Sequence, residues 1–369
     1  MESADVVVVG AGAMGSATAW WLARRGLDVV VVEQLEQGHD RGSSHGRSRI
    51  FRLAYPDRRY VRLARAALPL WRELEDDAAR SLLDTTGGID HGPAPAIDAL
   101  EAAIVGERVP HELLRPEAAS ERWPGMRFDR AVLFHPEAGR CRAEATVAAC
   151  QERAVAHGAD LRFGVGPATV TPTASGDGVL VGVGAIQWRA GVAVVAAGAW
   201  VAPLLAGWGD VHLPPLTVTL EQVQHFAAVD PGLPWPSFLH HREAEPLVYG
   251  LETPGEGVKV DEHHAGRVVD PITDDRHPDL ARLAAVERYV EAWFPGLDPE
   301  PVHTSTCLYT TTSSEDFVID RVGPIVVGSP CSGHGFKFVP LIGRMLADLA
   351  DGTVTTADPR FALPARRHG

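Results

Sequence analysis

Three glycines and one acid carry the clearest chemical signal in the chain. Gly10, Gly12 and Gly15 stand at the G-x-G-x-x-G spacing directly after the run Val6 to Val9, and Glu33 closes a second run, Val29 to Val32. A turn at Gly10, bare backbone at Gly12 and close strand–helix approach at Gly15 would let a pyrophosphate rest on the start of the next helix. Unpaired N–H groups and the helix dipole favour negative charge there. A carboxylate at Glu33 would accept hydrogen bonds from both ribose hydroxyls of an adenosine and repel a 2′-phosphate, so FAD or NAD is favoured over NADP. Gln37 to Arg52 then holds three glycines, four arginines and two histidines in sixteen residues. A loop so dense in cations is more than a connector, and it leaves the nucleotide fold where the cofactor's remaining phosphate and ring would lie. Near the C-terminal end a second glycine loop, Ser332-Gly333-His334-Gly335, opens a second helix.

These groups need a strand–helix–strand frame, and the patterning supplies one. Four consecutive β-branched residues suit a strand buried on both faces, and the Ala-rich stretch Ala13 to Arg25 reads as a helix stopped at Gly26. Helical period continues over Tyr60 to Arg80, with a kink expected at Pro69. Short helices are predicted at Ala96 to Val105 and Pro116 to Arg122, a strand at Thr85 to Ile89, and the βα pattern resumes with Ala143 to His157 and Ala159 to Phe163. Val192 to Ala197 is a further buried strand, and Gly198-Ala199-Trp200 at its end offers a turn suited to a nucleotide. Gln222 to Ala228, Leu247 to Leu251 and Gly257 to Asp261 read as an antiparallel sheet with a helix at Leu280 to Trp293. Val318 to Asp320, Ile325 to Gly328 and a helix carrying Leu341, Ile342, Met345, Leu346 and Leu349 close the chain.

Composition narrows the partners. A formal charge of -14 over 369 residues argues against a nucleic-acid backbone and against a tRNA-modifying role. Cys141, Cys150, Cys307 and Cys331 form no C-x-x-C pair, so neither zinc spacing nor a disulfide framework is present and reduced thiols are expected. Glu2 and Asp5 lead straight into the first strand, leaving no room for an export signal. Gly191 to Gly209 is uncharged, but its glycines and Pro203 read as strand, turn and short helix, with no membrane span. Arg366-Arg367-His368-Gly369 is neither a prenylation nor a peroxisomal signal. A cytoplasmic monomer is expected, with no metal.

Several stretches together carry a family resemblance. They are V-V-V-G-A-G-A-M-G, S-R-I-F-R-L-A-Y (Ser48 to Tyr55), R-W-P-G (Arg122 to Gly125), G-A-W, T-C-L-Y-T (Thr306 to Thr310), D-F-V-I-D (Asp316 to Asp320) and S-G-H-G-F-K-F (Ser332 to Phe338). In this order, over nearly the whole chain, they resemble the monomeric sarcosine oxidase and N-methyltryptophan oxidase group of the D-amino-acid-oxidase-like flavoproteins. The resemblance implies an α/β (α+β) chain with a Rossmann-like FAD-binding domain, discontinuous over 1–84, 142–213 and 306–369. An antiparallel or mixed-sheet substrate domain would occupy 85–141 and 214–305. It also implies FAD, a small amino-acid substrate bearing a secondary amine, and electron transfer to dioxygen with release of hydrogen peroxide.

Site residues follow from the same resemblance. Arg52 and Lys337 occupy the positions that bind the substrate carboxylate, Lys259 matches the lysine that activates dioxygen, and His263 matches a nearby active-site histidine. His45 and Arg49 correspond to residues beside the flavin ring, and Tyr249 and Tyr309 to pocket tyrosines. Cofactor contacts are expected from Gly10, Gly12, Met14, Gly15, Glu33, Gln34, Ser44, Arg47, Ala197, Gly198, Trp200, Gly333, His334, Gly335, Phe336 and Lys337. Cys307 matches the cysteine that forms a thioether to the flavin 8α-methyl group, and the cations at His45, Arg47 and Arg49 are expected to lower its thiol pKa. Three departures stand out: Glu221-Gln222 where the family usually has Arg-Gln, the polar run His240 to Glu245 before Tyr249, and Cys331 in place of an aromatic. They are expected to alter the pocket wall and to admit a bulkier, more polar or cyclic secondary amino acid. The competing readings are an amino-acid dehydrogenase using NAD or passing flavin electrons to another acceptor, and a flavoprotein that only senses a ligand.

Overall fold

The computed structural model describes residues 1–364. The tail Arg366–Gly369 therefore lies outside the described residues. The glycine turn sits in an eight-stranded sheet whose parallel centre pairs Glu2–Val9 with Val29–Val32 on one side and Ile186–Val195 on the other. Val6, Val8, Val29 and Val31 face one hydrophobic cluster, while Val7, Val9, Val30 and Val32 face a second. Both faces are covered, which is why these strands read as unbroken valine rather than alternating with polar residues. Asp160–Arg162 extends the sheet beyond Val29–Val32, and Ile325–Ser329 lies parallel to Ile186–Val195.

On the first face the helix Ala13–Arg24 packs between helices Ala143–Ala156 and Val339–Ala350. Small residues permit this approach: a Cβ at Gly343 would lie 2.6 Å from Cβ of Ala17. The long helix Arg58–Ala78 begins at Asp57, whose side chain accepts a hydrogen bond from Arg59 N, and carries Pro69 within it. The hairpin Ala168–Pro172 and Val179–Val183, which the sequence reading does not anticipate, pairs antiparallel with the first half of Ile186–Val195 and adds Val170, Val179, Val181 and Val183 to the second cluster.

A second, nine-stranded sheet is built from two separate stretches of chain. Leu216–Ala228 pairs with Gly257–Glu262, which continues through Val248–Thr253 and Ser237–His240 to Gly88–His91, Val132–His135 and Glu112–Leu114. All these pairs are antiparallel except Ser237–His240 with Gly88–His91, so the sheet is mixed. Leu297–Thr312 runs along the outer side of Leu216–Ala228 as one continuous strand. A domain division at 305/306 would cut it. The cationic segment is likewise shorter than the loop expected to reach Arg52, because Ser48–Phe51 forms a strand against Gly139–Arg142 in a small third sheet with Leu83–Asp84. Among the described residues no helix is long and apolar enough to cross a membrane.

Candidate active site

The C-terminal ends of the parallel strands and one face of the nine-stranded sheet enclose a cavity of about 1510 Å³. Its nucleotide-like end is shaped by backbone. Gly10 has φ +102°, and a Cβ there would come within 2.6 Å of Ala196 O. At Gly15 a Cβ would sit 1.8 Å from Gly10 O, so only glycine lets the helix start so close to the strand. Gly12 is different: its Cβ would meet only Ser44 Oγ at 3.1 Å, and beyond it the cavity is open.

No side chain caps the helix at Gly12, and Ser44 Oγ accepts a hydrogen bond from Ala13 N at 3.0 Å. Glu33 is held rigidly, with Oε2 accepting from Ala11 N at 2.8 Å and Oε1 from Leu35 N at 3.1 Å. Met14, Gln34, Ala197, Gly198 and Trp200 line the same end. This helix start, open to the cavity beyond Ser44 and beside a fixed carboxylate, suits an adenine dinucleotide.

Toward the other end the cationic segment folds on itself. Arg49 donates to Ser43 O, His45 O and Ser48 O at 3.0, 2.7 and 2.8 Å, so the guanidinium staples the loop that carries it. His45 is neutral, its pKa pushed down to about 4 by burial and by Arg49, and its buried Nε2 has no hydrogen-bond partner in the protein. An orphaned polar atom in a cavity wall is a place where a bound molecule completes the hydrogen bonding. Arg47 sits at the rim, paired with Glu256 at 3.0 Å.

Lys259, between Val258 and Val260, points into the cavity wall and donates to Ser48 O at 3.0 Å. Burial, helped by the charge of Arg49, pushes its pKa down to about 7. Its register neighbour His225, a residue that no local sequence pattern singled out, also lines the cavity; neither ring nitrogen is hydrogen-bonded, though Nε2 lies 3.5 Å from Glu256.

His263, Tyr249 and Tyr309 form one ring group. His263 Nδ1 lies 3.4 Å from Tyr309 OH, and both tyrosine rings meet the imidazole edge to face. Burial holds His263 well below the usual histidine range and both tyrosines well above theirs. Gly333, at φ +71°, leans on this group, since a Cβ there would lie 2.7 Å from His263 Cε1 and Tyr309 Cε2 alike. Gly335 lets the loop close on itself, its Cβ position being 1.7 Å from Pro330 O.

Two cations face the remaining space. Lys337, 5% exposed, donates to His334 O at 2.7 Å, and burial with the charge of Arg52 holds it well below the usual lysine range. Arg52 lies over the ring of Tyr55 at 4.2 Å and donates to Ala54 O at 2.9 Å. Phe336 packs near Arg49 and lines the cavity. His334 also reaches the cavity, but its ring is engaged by Glu315 O at 3.0 Å and by stacking on Phe317.

Three expectations need correction. Cys307 lies in the cavity wall on Leu297–Thr312, yet burial pushes its thiol up to about 11, outweighing the cations Arg49 and Lys259 that pull it down. Glu221 does not face the cavity: it accepts from Thr219 Oγ1 and Gly266 N at 2.6 and 2.9 Å and approaches Arg282 at 3.9 Å. The polar run before Tyr249 also turns away. His240 bonds Tyr289 OH at 2.7 Å, Arg242 pairs with Glu262 at 2.8 Å, and the residues here that reach the cavity are Leu239 and Leu247. Cys331 does line the cavity, its sulfur accepting from Thr310 N at 3.4 Å.

Comparison with known proteins gives a consistent pattern. Residues 5–349 match the FAD dependent oxidoreductase family. The chain is 34% identical over 381 residues to a monomeric sarcosine oxidase of Streptomyces avermitilis, covering 98% of this chain and 97% of that one. It is 32% identical over 366 residues to a peroxisomal sarcosine oxidase of Homo sapiens, covering 94% and 92%. Among solved structures it is similar to NikD, an unusual amino acid oxidase essential for nikkomycin biosynthesis, with TM-score 0.89 and 30% identity over 100% of both chains.

Proposed function

The chain belongs to the FAD dependent oxidoreductase family, and from that premise we propose an FAD-dependent oxidase of secondary amino acids, N-methylated or cyclic, that yields an imine and hydrogen peroxide. The observation that carries the reading is the pairing of part-buried Arg52 with buried Lys337, lining the same cavity as the Gly12 helix start and Lys259. Bound FAD would accept a hydride equivalent from the substrate carbon beside nitrogen and pass both electrons to dioxygen.

We assign the protein's own share as follows. The eight-stranded sheet holds the cofactor, with Gly10, Gly12, Gly15 and Ser44 at the pyrophosphate, Glu33 at the ribose, and His45, Arg49 and Phe336 beside the ring. The nine-stranded sheet roofs the substrate. Arg52 and Lys337 fix the substrate carboxylate by charge-assisted hydrogen bonds, which orients the amine-bearing carbon. His263, Tyr249 and Tyr309, all uncharged here, wall the reacting end and exclude water. Leu239 and Leu247 give the wall an apolar lining, which favours a substrate with an apolar substituent over a polar one. Lys259 supplies a fixed cation where negative charge develops as dioxygen is reduced. Cys307 supports a covalent link to the cofactor by its place in the cavity wall and in the T-C-L-Y-T motif. We further propose a cytoplasmic monomer, in keeping with four free cysteines and an acidic composition.

The test is an oxygen-consumption and peroxide assay over a panel of N-methyl and cyclic amino acids with their primary-amine counterparts. Peroxide from the secondary amines is the expected result. Turnover that needs a nicotinamide or an artificial dye would contradict it.

A further inference from the structure

Behind Arg52 lies a polar cluster to which the reading above gives no role. Asp90, on strand Gly88–His91, is 0% exposed. Its Oδ1 accepts from His241 Nε2 at 2.8 Å and lies 3.7 Å from Arg52 Nη1, while Oδ2 accepts from His135 Nε2 at 3.3 Å. Burial alone would raise this carboxyl's pKa, but the two histidine hydrogen bonds and the charge of Arg52 outweigh it and hold the group well below the usual carboxylate range. A buried charge this well partnered has a field that solvent screens little. Asp90 is the register neighbour of Leu239, which lines the cavity, so the two share the face that looks toward the site.

The charges explain what it could be for. Arg52 and a protonated Lys337 would bring two positive charges to one small volume, the same crowding that holds Lys337 below the usual lysine range, and a single substrate carboxylate neutralises one of them. With Asp90 ionised the set closes to zero on binding one carboxylate. We propose that Asp90 is a positioning residue that holds the Arg52 guanidinium against the cavity wall and sets the net charge of the anion end, selecting substrates with one carboxylate over those with two. The proposal rests on the reading of Arg52 and Lys337 as the carboxylate site.

The test uses the FAD-loaded protein and two ether acids that cannot be oxidised as amines: methoxyacetate, with one carboxylate, and oxydiacetate, with two. Affinities are read from the perturbation of flavin absorbance and stability from thermal melts. Asp90→Asn should weaken methoxyacetate about tenfold, because a guanidinium no longer held in place loses its preset aim at the carboxylate, and should shift the preference toward oxydiacetate. In an Arg52→Gln background the same change should have less than about a twofold effect, because the group it positions is gone. Full multiplication of the two losses, or an unchanged preference between the two acids, would overturn the assignment. If Arg52→Gln alone leaves methoxyacetate affinity intact, the carboxylate reading falls and Asp90's role falls with it. If Arg52→Gln weakens binding but Asp90→Asn does not, only the Asp90 role falls. Should Asp90→Asn fail to fold, Asp90→Glu keeps a charge for His135 and His241 but moves it relative to Arg52, so methoxyacetate should still bind more weakly, and unchanged affinity in that variant would contradict the proposal.

Discussion

Lys259 and Cys307 show how environment divides residues that motifs alone would treat together. With a pKa near 7, Lys259 is charged below neutrality and loses its charge as pH rises. Its service to dioxygen reduction should weaken in the same direction. Lys259→Met is expected to slow reoxidation of the reduced enzyme by about 10²- to 10³-fold at pH 6, the range for one pre-placed electrostatic group. Anaerobic reduction by substrate should fall much less, and the gap between variant and wild type should narrow above pH 8; stopped-flow spectroscopy separates the two half-reactions. The linkage sign is also fixed: the folded pKa lies below the unfolded value, so the unfolded state binds more protons between them. Lys259 therefore costs stability below pH 7, and that cost is relieved as pH rises toward 10.5.

Cys307 behaves in the opposite sense. Its thiol is pushed up to about 11, so thiolate is scarce at neutral pH and covalent attachment to FAD should be slow there and faster at pH 9. Acid precipitation checks it: a yellow pellet with a mass raised by one FAD is expected, while colour released wholly into the supernatant would show a cysteine that only packs. At this scale the sequence was readable where a motif carried the residue. Asp90, His135 and His241 were not readable, because their contacts join residues 45 and 151 positions apart on strands whose order no local pattern announces.

Elements with a strict pattern were legible almost to the residue. The helix expected over Leu280 to Trp293 has those bounds, with Asp279 accepting from Ala281 N and Arg282 N at its start. The strand Leu297–Thr312 was missed for a physical reason. It carries Pro299 and Pro301, which cannot donate to a ladder and argue against a central strand. Among the described residues it pairs only with Leu216–Ala228, and the register slips on either side of Phe226, opposite Pro301, so the prolines fall where the ladder is irregular. The glycine turn gives a prediction of its own. Gly12→Ala, with φ −68° and only Ser44 Oγ nearby, should fold with a loss of about 1 kcal/mol yet bind FAD at least about tenfold more weakly. Gly15→Ala, whose Cβ would strike backbone at 1.8 Å, should lower the melting temperature of the apoprotein itself. Melts of FAD-free protein and FAD titrations distinguish them, and equal melting losses in both variants would remove the argument that Gly12 faces the cofactor.

Across the whole molecule, an acidic chain gathers two buried lysines and two part-buried arginines on one cavity between two sheets. Arg49 and Arg52 come from the segment at the small third sheet, Lys259 from the nine-stranded sheet, and Lys337 from the second glycine loop. The second sheet and its place over the cofactor were legible from the strand-like stretches after Pro214, but its strand order and its one parallel pair were not, since strands separated by turns fix no order by themselves. The measurement that reaches the central claim most directly is anaerobic mixing of the yellow protein with N-methylglycine, N-methyltryptophan and proline, followed by admission of air. At least one of them should bleach the flavin absorbance, and the colour should return in air with hydrogen peroxide equimolar to the amino acid consumed. Flavin that none of them bleaches, or that stays bleached in air until a dye is added, would contradict it.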